Sequence, residues 1–415
     1  LAAGGIIDDA GYYQLAGRRS PENPDRFDVF APRISFAYRP SEGSETVIRG
    51  GYGLFYDNAE GREIDGSADI YPYVSRAGLF QTIDQEAPLN TTDNLFPSFA
   101  DPGPATPAAN TFLAVSMSPE PRNPFVQQWS LGVQHMLHRT TTVELSYVGS
   151  HGSNLLMRRN IAQAFPYTPE RPTVAERKPF PNFAAYIDSD WSGYSDYHAL
   201  NAVLTHRGRG LVATAAYTWA KSTDSKSAAA GIGAGYVGWQ GFLNNHDPAR
   251  DHGLSEFDVA HRFVASFVWN LPFGQGERWG GGASGVRQAL IGGWQLNGIW
   301  LWQGGMPMTI MALDVGGVLD TFGNNRADVV GDIHAGGGTV EEWFNTAAFA
   351  QPGFGEFGNS GRSILRLPGG NNLDLGLFKN VFGGPPTLQL RVEAFNALLH
   401  PRVRWVSRSP WLPNF

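Results

Sequence analysis

The most constraining stretch is Asp258-Val-Ala-His-Arg-Phe-Val-Ala-Ser-Phe-Val-Trp-Asn-Leu-Pro-Phe-Gly274. From His261 onward, every second side chain belongs to one set. His261, Phe263, Ala265, Phe267, Trp269 and Leu271 share a face that is mostly apolar and aromatic. Arg262, Val264, Ser266, Val268 and Asn270 share the other, which is mixed and more polar. A period of two over about ten residues predicts a β-strand. Globular strands usually stop at about five or six residues. A strand of about 9–11 residues with one apolar side suits a membrane-spanning barrel.

The same pattern recurs about ten times, in pairs, as it would in a barrel wall. Residues 33–39 and 46–56 form the first expected hairpin, around Pro40-Ser-Glu-Gly-Ser-Glu45. Residues 125–136 and 141–149 form the second, with Phe125, Trp129, Leu131 and Val133 on one face and Val143, Leu145 and Tyr147 on the returning strand. The third runs from 197 to 206 and back from 211 to 221, around Arg207-Gly-Arg-Gly210. The opening stretch pairs with 294–303 across a longer connection, which holds a short expected helix near 286–290. The last pair is 371–382 and 387–397, around Gly383-Gly-Pro-Pro386.

Between the pairs lie long connections near 57–124, 150–194, 222–257 and 306–370. Turns therefore alternate short and long, which places tight turns at one end and large loops at the other. Outer-membrane barrels segregate loop lengths in this way, with short turns periplasmic and long loops extracellular. Glu144, Arg391 and Glu393 alternate with apolar neighbours and are expected on a polar lumen side.

Composition excludes other classes. The 415 residues contain no cysteine, so thiolate metal sites and disulfides are ruled out. A formal charge of −7 with 17% charged residues argues against a nucleic-acid partner. The 26 Phe, 12 Trp and 51 Gly suit an all-β chain with an apolar outer band. No apolar run is long enough for a transmembrane helix, which needs about 18 residues or more. The start at Leu1 has no signal peptide, and residues 1–415 are read as one piece of a longer protein.

An ordered set of motifs identifies a family. It comprises Phe30-Ala-Pro-Arg-Ile-Ser-Phe-Ala-Tyr-Arg39 with Ile48-Arg-Gly-Gly-Tyr-Gly-Leu-Phe-Tyr-Asp57, Asn123-Pro-Phe-Val-Gln-Gln-Trp-Ser-Leu-Gly-Val-Gln134 and Val143-Glu-Leu-Ser-Tyr-Val-Gly-Ser-His-Gly152. It continues with Ser255-Glu-Phe-Asp-Val-Ala-His-Arg-Phe-Val-Ala-Ser266, Gly292-Gly-Trp-Gln-Leu-Asn-Gly298 and Arg391-Val-Glu-Ala-Phe-Asn396 with His400-Pro401. Together they resemble the barrel region of Oar-like TonB-dependent receptors. The resemblance implies an outer-membrane barrel of about 22 strands with a plug inside, driven by the TonB complex. On that expectation, plug and TonB box would precede Leu1, and about half the wall with them. The tail after Pro401 carries Pro410 and Pro413, which argue against a closing strand.

Chemistry is sparse. Gly233-Ala-Gly-Tyr-Val-Gly238 matches a dinucleotide fingerprint, but no strand precedes it and no helix follows, so it is read as loop. Asn90-Thr-Thr92 is a glycosylation sequon without weight in a bacterial barrel. No nucleophile elbow and no Ser/His/Asp arrangement with a supporting fold is evident, no cofactor is implied, and no enzyme is expected. His246, Asp247, Asp251 and His252 are read in two ways: as ligands of a zinc or calcium ion, or as polar contacts closing a loop at the rim. Trp191, Tyr194, Tyr236 and Trp239 are loop aromatics that could stack on a sugar or apolar ligand, or pack the loops together. The leading expectation is energised uptake of a scarce nutrient by an outer-membrane receptor in contact with lipid. An adhesion barrel and a soluble carbohydrate-binding β protein are the alternatives.

Overall fold

The computed structural model describes residues 30–57, 122–181, 183–227, 242–318, 325–339, 342–381 and 388–400, with three short strands at 5–7, 13–15 and 112–117. Ten strands form one antiparallel sheet in chain order. They are β1 (Arg33–Tyr38), β2 (Thr46–Tyr56), β3 (Phe125–His138), β4 (Thr141–Asn160) and β5 (Phe183–Arg207), then β6 (Leu211–Asp224), β7 (His261–Asn270), β8 (Trp294–Gln303), β9 (Gly370–Asn380) and β10 (Gln389–Ala394). Strand Phe112–Met117 adds in parallel along the outer part of β5.

The register explains why the sequence alternates. Ile48, Val133, Leu145, Ala202, Tyr217, Phe263 and Trp302 stand in one row across seven consecutive strands. The row one residue over is Arg49, Gly132, Ser146, Asn201, Thr218, Arg262 and Gln303. The first is wholly apolar; the second is wholly polar or glycine. Because side chains alternate across a strand, these rows lie on opposite faces. The apolar face is open: Leu145 keeps 51% of its surface exposed. In water such a face is an aggregation hazard, whereas against hydrocarbon it is the required surface. Glu144, Arg391 and Glu393 take the parity opposite the apolar rows, as expected.

Trp129 shows how close this packing is. Its indole lies flat over Gly149 on the neighbouring strand, where an added Cβ would fall 2.2 Å from the ring. A glycine beneath a cross-strand aromatic lets the ring cover the backbone.

Connections alternate as the sequence predicts. At one end the strands turn within 39–45, 139–140, 208–210, 271–293 and 381–388. The third of these uses Gly210 at φ 85°, a left-handed conformation that glycine adopts without strain. The fourth contains the expected helix, α1 (Gly285–Ile291). At the other end the connections are 57–124, 161–182, 225–260 and 304–369.

The second long connection differs from expectation. The sequence places a loop over 150–194, but β4 and β5 continue as a pair to Asn160↔Ile187. Two register shifts, at Gly152/Leu155 and Leu155/Met157, interrupt the ladder. Beyond them Met157, Phe183, Ala185, Tyr186, Ile187 and Trp191 are all buried, so the one-sided pattern that marks a strand is lost.

The buried core sits at the long-loop end rather than in the wall. Connection 304–369 folds into a lobe with its own cluster of Met308, Ile310, Ala312, Ala327, Phe344, Ala348, Phe349 and Leu365. Three two-residue strand pairs tie it together, Pro307–Met308 with Leu365–Arg366, Met311–Ala312 with Asn325–Arg326, and Asp328–Val329 with Phe349–Ala350.

Candidate functional site

Three arginines of the lobe each meet an aspartate of the 224–258 segment. Arg362 pairs with Asp224, Arg326 with Asp251, and Arg366 with Asp258. The last contact is 2.5 Å. Arg362 also donates to Ser227 Oγ at 3.1 Å and to the carbonyl of Asp251 at 2.8 Å. Each aspartate is buried and tied to backbone or neighbour: Asp258 accepts from the Ser222 amide at 2.7 Å and Asp251 from the Leu243 amide at 3.0 Å. All three cations come from the lobe and all three anions from the rim of the wall, so the pairs select one seating of the lobe.

Their energetics are not those of simple attraction. Burial raises the pKa of Asp251 above the ordinary carboxylate value, although the Arg326 guanidinium opposes it. Burial likewise lowers that of Arg326 against the pull of Asp251. For both partners the cost of leaving water exceeds their mutual attraction. Such a pair contributes geometry more than stability, and removing one member leaves an uncompensated buried charge. Lys226, in the connection two residues past β6, is pushed down to about 8 by burial, with Asp251 opposing and Arg158 and Arg362 reinforcing.

The sequence-derived candidates divide. Asp251 is committed to Arg326. His246 stacks on Phe165, with ring centroids 4.0 Å apart, and its Nε2 lies 3.0 Å from the Gln163 carbonyl. His252 stacks on Tyr194 at 5.1 Å. Asp247 is exposed and begins the 3-10 turn Pro248–Asp251 without a side-chain cap. Among the described residues, no three of His, Asp or Glu converge at metal-binding range. Tyr194 is 39% exposed, while Trp191 is 5% exposed and packs inside. Tyr236 and Trp239 lie outside the described residues, as does the glycine motif 233–238. The rim thus presents two accessible histidine–aromatic stacks, Phe165–His246 and Tyr194–His252.

Two groups escape a sequence reading. The pinning arginines Arg326, Arg362 and Arg366 follow no local pattern. A second group lies on the wall: His151 Nδ1 is 2.6 Å from Asp196 Oδ1, and its Nε2 is 2.8 Å from Ser153 Oγ. Only the His-Gly-Ser spacing at 151–153 hints at it. Asp196 is brought in by cross-strand register alone, so the local sequence does not reveal this hydrogen-bonded set.

A family model described as an outer membrane beta barrel domain matches residues 7–406. No curated protein matches the chain. Among solved structures, the outer membrane transporter YddB from Escherichia coli shares 9% identity at TM-score 0.39, over 85% of this chain and 35% of that one. The FrpB iron transporter from Neisseria meningitidis shares 9% at TM-score 0.37, over 88% and 34%. The ferripyoverdine receptor of Pseudomonas aeruginosa shares 8% at TM-score 0.37, over 89% and 29%. The chain spans about a third of the length of these structures. The family match sets the soluble alternative aside and places the protein in the bacterial outer membrane.

Proposed function

This chain belongs to the outer membrane beta-barrel domain family, and from that premise we propose that it is the wall and outer-loop region of an Oar-like TonB-dependent receptor that takes up a scarce nutrient. The observation that carries the reading is the lobe. A passive wall has no use for a folded, internally cored lobe held in one seating by three ion pairs to buried aspartates. A receptor does, because capture from dilute solution needs preorganised contacts.

In this reading the exposed stacks Phe165–His246 and Tyr194–His252 present ring faces to the ligand. A plug supplied by the rest of the protein, moved by the TonB complex, opens the path past the polar face of the wall. The chain's own residues bind and position; no bond-breaking step is needed for transport.

The test uses the whole receptor in its native membrane. Uptake of labelled nutrients is compared between the wild type, a TonB-deficient strain and a Tyr194→Ala/Phe165→Ala variant. TonB-dependent uptake that falls in the variant, with barrel migration on unheated gels unchanged, supports the reading. Cell–cell adhesion without TonB-dependent uptake of any tested nutrient overturns it in favour of a surface-interaction barrel.

A further inference from the structure

The relay of Ser153, His151 and Asp196 takes no part in ligand capture. Its geometry is that of a nucleophile, a base and an orienting carboxylate, each within hydrogen-bond reach of the next. Such constellations are recognised by distance and role, not by fold. A carboxylate can only accept, so Nδ1 of His151 carries the proton directed at Asp196. With the ring neutral, Nε2 is then free to accept from the Ser153 hydroxyl.

The backbone is irregular at this point. The ladder is bulged: Gly152 pairs with Ser195 and Leu155 with Gly193, so Ser153 and Asn154 face the single residue Tyr194. A bulge leaves a backbone group outside the ladder and re-aims a side chain. Asn154, directly after Ser153, has φ 54°, the left-handed conformation that asparagine adopts more readily than most residues.

Location then names the substrate class. His151 and Asp196 stand in the row with Leu54 and Gln127, on the same side of the wall as the apolar rows. The row below holds Tyr52, Trp129 and His198; the row above holds Tyr56 and Phe125, whose rings are 5.8 Å apart. Aromatic belts mark the membrane–water boundary. The side chains of His151 and Asp196 remain 35% and 36% exposed, so the site is open toward that boundary.

We propose that Ser153 and His151, oriented by Asp196, form an esterase site on the lipid-facing side of the wall, acting on carboxylic acyl esters of lipids in the outer leaflet. Ser153 Oγ bonds to the ester carbonyl carbon while its proton passes to His151 Nε2, and the carbonyl electron pair moves onto oxygen. Collapse breaks the bond to the alkoxy oxygen, which leaves with the proton from His151 as the alcohol. Water then bonds to the acyl carbon, gives its proton to His151, and the Ser153 oxygen departs with it, releasing the carboxylic acid. Ser153 and His151 are catalytic; Asp196 is a positioning residue. The proposal is independent of transport.

The test takes the whole receptor in detergent micelles, with heat-modifiable migration as the folding control. The probes are p-nitrophenyl palmitate and a long-chain fluorophosphonate. The folded protein hydrolyses the ester, and peptide mapping places the fluorophosphonate on Ser153. Ser153→Ala abolishes labelling and lowers hydrolysis by about 10³-fold or more, and Asp196→Asn lowers kcat by about 10³–10⁴-fold with KM unchanged. A folded wild type that neither labels nor hydrolyses overturns the proposal, as does a label mapped elsewhere or a Ser153→Ala variant that turns over at the wild-type rate. An Asp196→Asn variant with unchanged kcat removes Asp196 from the site.

Discussion

The wall and the lobe obey different rules, although one chain builds both. In the wall, an apolar row and a polar row lie one residue apart, and large side chains such as Leu145 stay exposed. Its backbone bonds are satisfied sideways, strand to strand, and its apolar face is left open for another apolar medium to complete. In the lobe, apolar residues close on one another: Ile310 and Ala327 are fully buried. Charges are taken inside with them, at Asp251–Arg326 and Asp224–Arg362. The wall leaves its apolar face outward, whereas the lobe encloses its own core and uses buried charge to choose one docked arrangement. The difference teaches that exposure of apolar groups and burial of polar ones, both anomalies in a soluble domain, are here two halves of one design.

The strongest way to break the comparison is at a pin. Asp251→Ala strands Arg326 in a buried site and should destabilise the lobe by about 3–5 kcal/mol, whereas replacing both partners by apolar residues of similar volume should be near neutral. Limited proteolysis of the lobe reads this, while barrel migration on unheated gels stays unchanged. If the double replacement is as damaging as the single one, the pairs stabilise outright and the contrast with the wall weakens.

The next test lies within the wall. Leu145→Arg places a charge on the lipid face and should cost about 2–4 kcal/mol near mid-bilayer. Ser146→Arg, one residue along and on the opposite face, should cost well under about 1 kcal/mol. Urea unfolding in lipid vesicles separates them; equal costs would mean that the two faces see the same medium.

Gly149→Ala should cost about 1–3 kcal/mol, because the Trp129 ring must leave its seat over the backbone. Tryptophan fluorescence of the folded protein should shift alongside the loss in stability. An unshifted spectrum with full stability would show that the ring has room.

The smallest effect is pH-dependent and confined to the loop end. Lys226 falls from 10.5 unfolded to about 8 folded. Between those values the unfolded chain holds more protons, so loop-end stability rises with pH across that window. Below about 8 the cost of the buried ammonium is fully present. Asp251 carries the opposite sign: its folded pKa is raised, so stability falls as pH climbs from its unfolded value of 3.8 through the folded one. Protease protection of the lobe should therefore increase from pH 7.5 to pH 10, by on the order of 1 kcal/mol, and Lys226→Met should remove the increase. Unchanged pH dependence in that variant would assign the effect elsewhere.

Much of the wall was legible because one physical rule writes it. A strand between lipid and a polar interior must alternate, so His261–Asn270, Trp294–Gln303 and Thr46–Tyr56 show their bounds in the residues themselves. Short and long connections followed from the same count. The rule fails where both faces of a strand are covered. The outer parts of Thr141–Asn160 and Phe183–Arg207 read as loop because protein, not lipid, packs against them. Of the candidate site, the exposed aromatics and histidines near the rim were visible as residue types, but their pairing into Phe165–His246 and Tyr194–His252 was not.

By itself, then, the sequence determined the class of fold, the strand rhythm, the apolar face of the wall and the end that carries the loops, since each depends on neighbours within a few residues. Tertiary structure alone decided which aspartate each lobe arginine reaches, some 75 to 138 residues away. It also decided that Asp196 stands beside His151, 45 residues off. Those meetings are products of strand register and loop docking, and neither leaves a mark on the local pattern of the chain.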